Sequence, residues 1–187
     1  MQIRLIDSFT DEQLLALVKK GNQAAFGQLV KKYEGVVAST IRGMLGNSPE
    51  VKDVGQEVFI RVYKNIHQFK GDASFKTWIT RIAINLSLNE LKKRKRLFSR
   101  FITTDDTVKF EKNIITQDVQ DIKEMVQKGI GELDVKFRSV LVLRLIQGYS
   151  TKETAAILEI PQGTVLSRLN TAQKKLKDVL IKMNPNL

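Results

Sequence analysis

Residues 75–96 place aromatic and polar side chains where they could bind nucleic acid. At about 100° per residue in a helix, one side carries Trp78, Arg81, Asn85, Asn89 and Lys92, beside an apolar stripe. Aromatic rings stack on unpaired bases, asparagine reads base edges, and basic side chains meet phosphates. The set therefore favours single-stranded DNA as a ligand, although for Trp78 taken alone a partly buried core position is the favoured interpretation.

The same helix is predicted to end in five consecutive basic residues, Lys92-Lys93-Arg94-Lys95-Arg96. Cations near a helix C-terminus are favourable through the helix dipole alone, so a solvated helix end is one interpretation. Five in a row exceed what a helix end requires, and contact with backbone phosphates is the other.

A second DNA-binding pattern lies near the C-terminus, in residues 150–169. Ser150 and Glu153 have the spacing of a capping box, which begins a helix. Pro161 ends that helix, because the residue before a proline avoids the α conformation. Val165 and Leu169 then begin a second helical repeat. The pattern predicts a helix-turn-helix, whose second helix enters the DNA major groove, although many αα-hairpins that bind no DNA look similar.

A third set, Asp53, Gln56 and Glu57, lies at helical spacing on the side away from Val54 and Val58. Such triplets are usually solvated helix faces, and the functional alternative is docking of a basic or amide-rich helix. The carboxylates have no nucleophile or metal-site context.

Residue types for catalysis or cofactor binding are missing from the sequence. It has no cysteine, its only histidine is His67, and it lacks a Gly-rich phosphate loop and a nucleophile–base pair. We therefore expect no enzyme activity, no cofactor and no metal site.

The charge distribution indicates a polyanionic partner. The chain of 187 residues carries a net charge of +11. Residues 1–96 hold 17 basic against 9 acidic side chains, residues 97–120 hold 3 against 4, and residues 121–187 hold 11 against 7. No apolar run is long enough for a membrane span and no signal peptide is recognisable, so we expect a cytoplasmic protein.

The apolar periodicity is helical almost throughout. It predicts an all-α fold with two helical domains, residues 1–96 and 121–187, joined by a flexible linker at 97–120 that is rich in turn-forming residues. Helical spacing in the second domain continues through Leu145 to a stop at Gly148.

Four motifs in this order resemble the extracytoplasmic-function group of bacterial RNA polymerase sigma factors. They are Asp53-Val54-Gly55-Gln56-Glu57, Phe69-Lys70-Gly71-Asp72, Phe75-Lys76-Thr77-Trp78-Ile79-Thr80-Arg81-Ile82-Ala83-Ile84-Asn85, and Pro161-Gln162-Gly163-Thr164-Val165-Leu166-Ser167-Arg168-Leu169. The resemblance covers roughly residues 10–95 and 122–182. It implies a region 2 helical bundle at 1–96 and a region 4 helix-turn-helix at 121–187.

The resemblance also implies partners and site residues. Region 2 would bind core RNA polymerase, on its β′ subunit, through Asp53, Gln56 and Glu57. It would recognise and melt the −10 promoter element through Lys70, Trp78, Arg81, Asn85, Asn89, Lys92, Lys93 and Arg94. Region 4 would read the −35 element through Thr151, Gln162, Gly163, Thr164, Ser167, Arg168, Thr171, Lys174 and Lys175. Contact with the β subunit, an anti-sigma factor and a monomeric free state are further expectations.

The predicted second DNA-reading helix departs from the family pattern. Leu166 stands where the family usually has a basic residue, and Thr171 and Gln173 stand where arginine is frequent. Fewer phosphate contacts should weaken −35 binding and flatten its salt dependence, so we expect promoter choice to depend more on region 2. A helix-turn-helix regulator that binds duplex operators and never contacts polymerase is the alternative function.

Overall fold

Eight α-helices make up most of the regular structure in the computed structural model, which describes residues 9–101 and 119–184. In chain order they are α1 Asp11–Lys19, α2 Gln23–Leu45, α3 Glu50–Asn65, α4 Phe75–Phe101, α5 Val119–Glu132, α6 Val135–Leu141, α7 Thr151–Leu158 and α8 Gln162–Met183. A 3₁₀ turn, Ile66–Gln68, follows α3, and a π-helical turn, Val142–Ile146, continues α6. Within the described ranges there is no strand, which confirms the all-helical prediction.

Two helices begin with capping boxes, and the one at Ser150 and Glu153 is the one that the sequence predicts. At α1, the Thr10 hydroxyl accepts from the amide of Gln13 at 3.3 Å, and the Gln13 side chain accepts from the amide of Thr10 at 2.9 Å. At α7, Ser150 and Glu153 make the same exchange at 3.1 and 2.8 Å. Each box satisfies amides that a helix start would otherwise leave without partners.

The first bundle consists of α1 to α4, with α2 in contact with each of the other three. Its apolar stripe is fully buried at Leu29, Val37 and Ile41, against Val58 of α3 and Ile79 of α4. Burial of side chains this large contributes about 1.5–3 kcal/mol each. This packing fixes which side of α3 and of α4 remains at the surface.

The second bundle consists of α5 to α8 and contains the predicted helix-turn-helix as α7 and α8. Val165 and Ala172 of α8 are fully buried, as the predicted spacing requires. Glu159 ends α7 in the left-handed conformation, with φ 56°, and Pro161 precedes the first residue of α8. The prediction of two helices joined by a tight turn is confirmed.

The π-helical turn changes the register after α6. Leu145 is 54% exposed, although the helical spacing continues through it in the sequence. A π turn holds more residues than an α turn, so the side chains that follow Val142 rotate away from the face predicted for an unbroken helix.

The two bundles pack against each other, which the sequence did not predict. Buried residues of both bundles belong to one contiguous apolar cluster, and α2 and α4 contact elements of the second bundle. Most of the predicted linker, residues 102–118, lies outside the described residues, while α4 itself continues to Phe101. Among the described residues, no helix is both long and apolar enough to cross a membrane.

Candidate nucleic-acid interface

The α4 helix presents the predicted polar stripe at the surface. The Ser74 hydroxyl accepts from the amide of Thr77 at 3.1 Å and so caps the first turn of α4. Phe75 and Ile79 face the core, 3% and 0% exposed, whereas Asn85 and Asn89 are exposed. The two amide side chains are therefore available to a ligand that runs along this helix.

Trp78 lies at the border between that stripe and the core, half-buried. Its ring centroid is 5.3 Å from that of Phe69 and 5.7 Å from that of Phe75, and Phe75 packs edge-to-face on Tyr33 at 5.1 Å. Aromatic pairs of this kind contribute about 0.5–1.5 kcal/mol beyond area burial. Trp78 is thus both a packed residue and a partly accessible aromatic surface, so the two interpretations of it are compatible.

The segment between α3 and α4 is attached to α1 by a contact for which the sequence gave no signal. The Lys19 ammonium donates to the backbone carbonyl of Phe69 at 2.8 Å. Lys70 and Gly71 follow at the surface and line a shallow cleft of about 240 Å³ beside α1. Lys19 therefore helps to place Lys70 and the Phe69 ring on which Trp78 packs.

The basic side chains at the end of α4 differ in whether they contact other residues of the protein. Lys92 and Lys93 are exposed, with Lys93 3.6 Å from Glu90. Arg94 instead lies 2.7 Å from the carboxylate of Glu50 and also bonds to the Ser48 hydroxyl. The sequence predicts that Arg94 contacts phosphates, whereas in the structure its guanidinium links α4 to the start of α3.

Arg81 is also engaged within the protein. One of its terminal nitrogens donates to the backbone carbonyl of Ala156 at 2.6 Å, and the other lies 3.3 Å from the Glu159 carboxylate. Both acceptors belong to the C-terminal end of α7. Arg81 is one of the α4 residues assigned to DNA, and in the structure it contacts the helix-turn-helix instead.

The predicted docking face of α3 is accessible. Asp53 and Gln56 are exposed, and the half-buried Glu57 lies 2.8 Å from Arg61 one turn later. Ile60 follows Gln56 and Glu57 by four and three residues, which places it on the same face, and it is 46% exposed. A single exposed apolar side chain is ordinary on a protein surface, so Ile60 adds apolar area to this face without by itself identifying a binding site.

A groove between α2 and α3 adjoins this face. Its volume is about 600 Å³, and Gln56 and Lys52 of α3 line it together with apolar residues. The other lining residues are Val30, Glu34, Val37, Ala38, Arg42, Asn47, Ser48, Pro49, Val51, Gly55 and Phe59. The sequence pattern did not reveal the groove, because it depends on how two helices cross.

The α8 helix presents its first turn to solvent. Gln162, Gly163 and Ser167 are exposed, and no side chain caps the helix start. Free backbone amides at a helix N-terminus attract phosphate oxygens. Thr164 and Arg168 are half-buried.

The remaining residues assigned to the second DNA site divide by exposure. Lys174 and Lys175 are exposed, with the Lys175 ammonium 5.7 Å from the Phe137 ring. The Thr171 hydroxyl donates to the carbonyl of Ser167 at 3.0 Å, and Thr151, the first residue of α7, is half-buried. Leu166 is 51% exposed on the same helix, where it interrupts the polar surface.

Among the residues that the structure describes, no three His, Cys, Asp or Glu side chains lie close enough together to hold a metal ion. His67 is exposed in the 3₁₀ turn after α3.

The fold and the exposed surfaces together define the class, which is an all-helical protein with a polar stripe on α4, an accessible polar face on α3 and a helix-turn-helix. Comparison with known families identifies it further. The model for sigma-70 region 2 matches residues 29–97, and the model for sigma-70 region 4 matches residues 129–178. The chain belongs to the extracytoplasmic-function family of RNA polymerase sigma factors.

Curated relatives resemble the chain over almost its whole length. RNA polymerase sigma-H factor of Pseudomonas aeruginosa is 33% identical over 180 residues, which are 91% of this chain and 93% of that protein. ECF RNA polymerase sigma factor SigW of Bacillus subtilis is 34% identical over 87% of this chain and 92% of its own length. ECF RNA polymerase sigma-E factor of Escherichia coli K12 is 33% identical over 91% and 94%.

Solved structures show the same fold. CnrH, in complex with the cytosolic domain of CnrY, matches with a TM-score of 0.68 and 28% identity, over 91% of this chain and 96% of that one. The sigma factor RpoE of Bartonella quintana, in complex with the anti-sigma factor NepR, matches with a TM-score of 0.67 and 18% identity, over 83% and 96%. As a sigma factor, the chain binds core RNA polymerase and promoter DNA for transcription initiation.

Proposed function

We propose that this sigma factor binds core polymerase and promoter DNA through three separate surfaces, one on α3, one on α4 and one on α8. Residues 1–96 form region 2 and residues 121–187 form region 4, with 97–120 as the linker. The observation that carries this division is that α3 and α4 present accessible polar faces in one bundle while the other bundle contains a helix-turn-helix. An operator-binding regulator needs only the helix-turn-helix, so that alternative leaves the α3 and α4 faces without a role.

The α3 face binds the β′ subunit of core polymerase. Asp53, Gln56 and Glu57 supply carboxylate and amide acceptors, and exposed Ile60 supplies apolar contact area between them. The groove along α2 extends this surface. A polar rim around apolar contact area is the usual composition of a protein interface.

The α4 face captures the −10 element after strand separation. Trp78 offers a partly accessible ring at the edge of a rigid aromatic cluster, and Asn85 and Asn89 lie about two and three turns further along the exposed side. A base that leaves the duplex can stack on the ring, and stacking of this kind contributes about 1–3 kcal/mol per base. The phosphates of that strand meet Lys70, Lys92 and Lys93, which are exposed.

The α8 helix reads the −35 duplex. Gln162 and Gly163, at the start of α8, enter the major groove first, and the free backbone amides of this helix start are directed at a phosphate. Arg168, Lys174 and Lys175 are the basic residues further along the helix.

This chain acts as a binding subunit and leaves catalysis to core polymerase. An anti-sigma factor is a further proposed partner, supported by a solved relative of the same fold, the sigma factor RpoE, which is bound to the anti-sigma factor NepR.

Run-off transcription with purified core polymerase and a library of genomic promoter fragments tests the proposal. We expect promoter-specific transcripts only when the full chain is added, together with retention of the chain on immobilised core. Absence of both a specific transcript and core retention would refute the function.

A further inference from the structure

The α1 helix is assigned to none of the three binding surfaces, yet it contacts the segment that precedes α4. We call residues 69–74, between the 3₁₀ turn and α4, the base-capture loop. Lys19, the last residue of α1, donates from its ammonium to the Phe69 carbonyl at 2.8 Å. Phe69 is the first residue after the 3₁₀ turn, and its amide donates to the Ile66 carbonyl at 3.2 Å. Lys19 therefore contacts the loop at the point where the chain leaves the turn.

The rest of the base-capture loop has few other attachments. Residues 70–73 are exposed, and within the described part of the chain their side chains make no hydrogen bond or ion pair. Gly71 has a φ of 88°, a conformation that glycine adopts freely. The hydrogen bond from Lys19 is therefore the polar contact that fixes this loop before Ser74 caps α4.

The opposite end of α1 is connected to the same loop through aromatic packing. Asp11, the first residue of α1, accepts a hydrogen bond from the Tyr33 hydroxyl and lies 2.5 Å from the Lys32 ammonium. Burial, together with the hydrogen bond to Asp11, raises the pKa of Tyr33 well above its ordinary value, so the phenol remains the donor. The Tyr33 ring packs on Phe75, whose ring centroid is 5.6 Å from that of Phe69. Both ends of α1 thus lead to Phe69, one to its backbone and one to its ring.

Phe69 connects these contacts to the DNA site on α4. Its ring centroid lies 5.3 Å from that of Trp78, and Lys70 is the next residue in the chain. A loop that is already ordered loses less conformational freedom when a ligand binds, so the affinity rises without any new contact to the ligand. Contacts that order the base-capture loop therefore favour DNA binding even where they lie away from the DNA.

We propose that α1 positions the base-capture loop for the −10 strand. Lys19 fixes the Phe69 backbone, and Asp11 orients the aromatic cluster through Tyr33. Both are positioning residues, because they act on DNA through the loop and do not contact it. This inference rests on the proposed function, since it takes Trp78 as part of the −10 site.

A salt titration separates positioning from direct phosphate contact. The probe is a single-stranded DNA oligonucleotide that carries the −10 sequence of a promoter found by run-off transcription. Binding to the full chain is followed through the fluorescence of Trp78, its only tryptophan. We expect Lys19→Met to lower the affinity about threefold to tenfold at every salt concentration, as for loss of one hydrogen bond, with an unchanged slope of log K against log salt. A slope flatter by about 0.7 would show a direct phosphate contact and overturn the positioning role.

Two further variants are matched controls. Lys20→Met removes the same charge one residue later, from an exposed side chain that has no hydrogen bond or ion pair among the described residues, and should bind as wild type does. Lys19→Arg keeps a charged donor and should recover most of the affinity. Because both lysines are exposed, the unfolding midpoints of all variants should equal that of wild type. Equal affinities of Lys19→Met and Lys20→Met would overturn the proposal.

The attachment through Asp11 has its own test. Tyr33→Phe keeps the ring on Phe75 and removes the hydroxyl that donates to Asp11. We expect Trp78 to become more accessible to quenching by acrylamide and the oligonucleotide affinity to fall about twofold to fivefold. Unchanged quenching and affinity would remove Asp11 from the positioning role.

A double variant shows whether Lys19 acts through the aromatic site. In the holoenzyme, we expect Lys19→Met to reduce open-complex formation about threefold to tenfold, and to reduce it much less in a Trp78→Ala background, where the positioned ring is absent. Additive losses would overturn action through Trp78. If the wild-type holoenzyme gives no promoter-specific transcript, the proposed function itself is wrong. A normal wild-type transcript with an unaffected Lys19→Met variant overturns the positioning role alone.

Discussion

Thr80 of α4 and Tyr149, which precedes the helix-turn-helix, share a 2.7 Å hydrogen bond that is buried between the two bundles. Tyr149 is 3% exposed, and burial raises the pKa of its phenol. The two residues are 69 positions apart in the sequence, so their hydrogen bond is a direct contact between the two bundles.

Removing one hydroxyl of the Thr80–Tyr149 pair should lower the free energy of unfolding more than removing both hydroxyls. We expect Tyr149→Phe to lower the free energy of unfolding by about 1 kcal/mol, because the buried Thr80 hydroxyl loses its partner. The double variant Tyr149→Phe with Thr80→Val should recover part of this loss. Urea unfolding measures both, and additive losses in the double variant would show that the two hydroxyls are not coupled.

The helical framework could be predicted from the sequence because its signals are local. The capping residues Ser150 and Glu153 lie within one turn, and the apolar and polar sides of α4 follow from spacing alone. The packing of the two bundles against each other could not be predicted, because Gly43 meets Val142 from a distant part of the chain and neither residue carries a local sign of its partner. Helical spacing places Arg81 on the polar side of α4, but no sequence rule indicates that it contacts the end of α7.

Loss of the Trp78 ring should affect strand separation more than initial binding. We expect Trp78→Ala to reduce open-complex formation at least about tenfold, since a stacked base contributes about 1–3 kcal/mol. Closed-complex affinity should change little. Permanganate footprinting measures the first and gel mobility shift at low temperature the second. Trp78→Phe, which keeps an aromatic surface, should restore part of the loss, and equal losses at both steps would count against base capture.

Substitutions on the α3 face should weaken polymerase binding without altering the fold. We expect Asp53→Asn and Gln56→Ala each to raise the Kd for core polymerase about fivefold or more, since polar groups at an interface lose partners that the other side has buried. Both side chains are exposed, so unfolding midpoints should be unchanged. Asp178→Asn, which removes an exposed carboxylate from α8, is the matched control. Equal affinity of all four proteins would remove this face from the interface.

A basic residue at position 166 should strengthen −35 binding. Leu166 is 51% exposed on α8, so Leu166→Arg can reach a phosphate without disturbing the core. One added contact should steepen the slope of log K against log salt by about 0.9, and Arg168→Ala should flatten it by a similar amount. Fluorescence anisotropy with a labelled −35 duplex measures both slopes. If Leu166→Arg leaves the slope unchanged, this position does not face the DNA backbone.

The capping box of α7 should make the helix-turn-helix sensitive to acid. The Ser150 hydroxyl, together with the Ser150 backbone amide, holds the pKa of Glu153 below its ordinary value, and partial burial opposes this only weakly. Because the pKa in the folded state is the lower one, ionised Glu153 favours folding at pH values above its unfolded pKa of about 4.3. That contribution is lost as the pH falls through the folded pKa. Glu153→Gln keeps a hydrogen-bond acceptor but cannot titrate. We therefore expect the stability difference between wild type and Glu153→Gln to be constant from pH 7 to about 5 and to shift towards the variant below about pH 4. Urea unfolding at each pH measures it, and stability curves that stay parallel down to pH 3 would show that the Glu153 carboxylate is not coupled to folding.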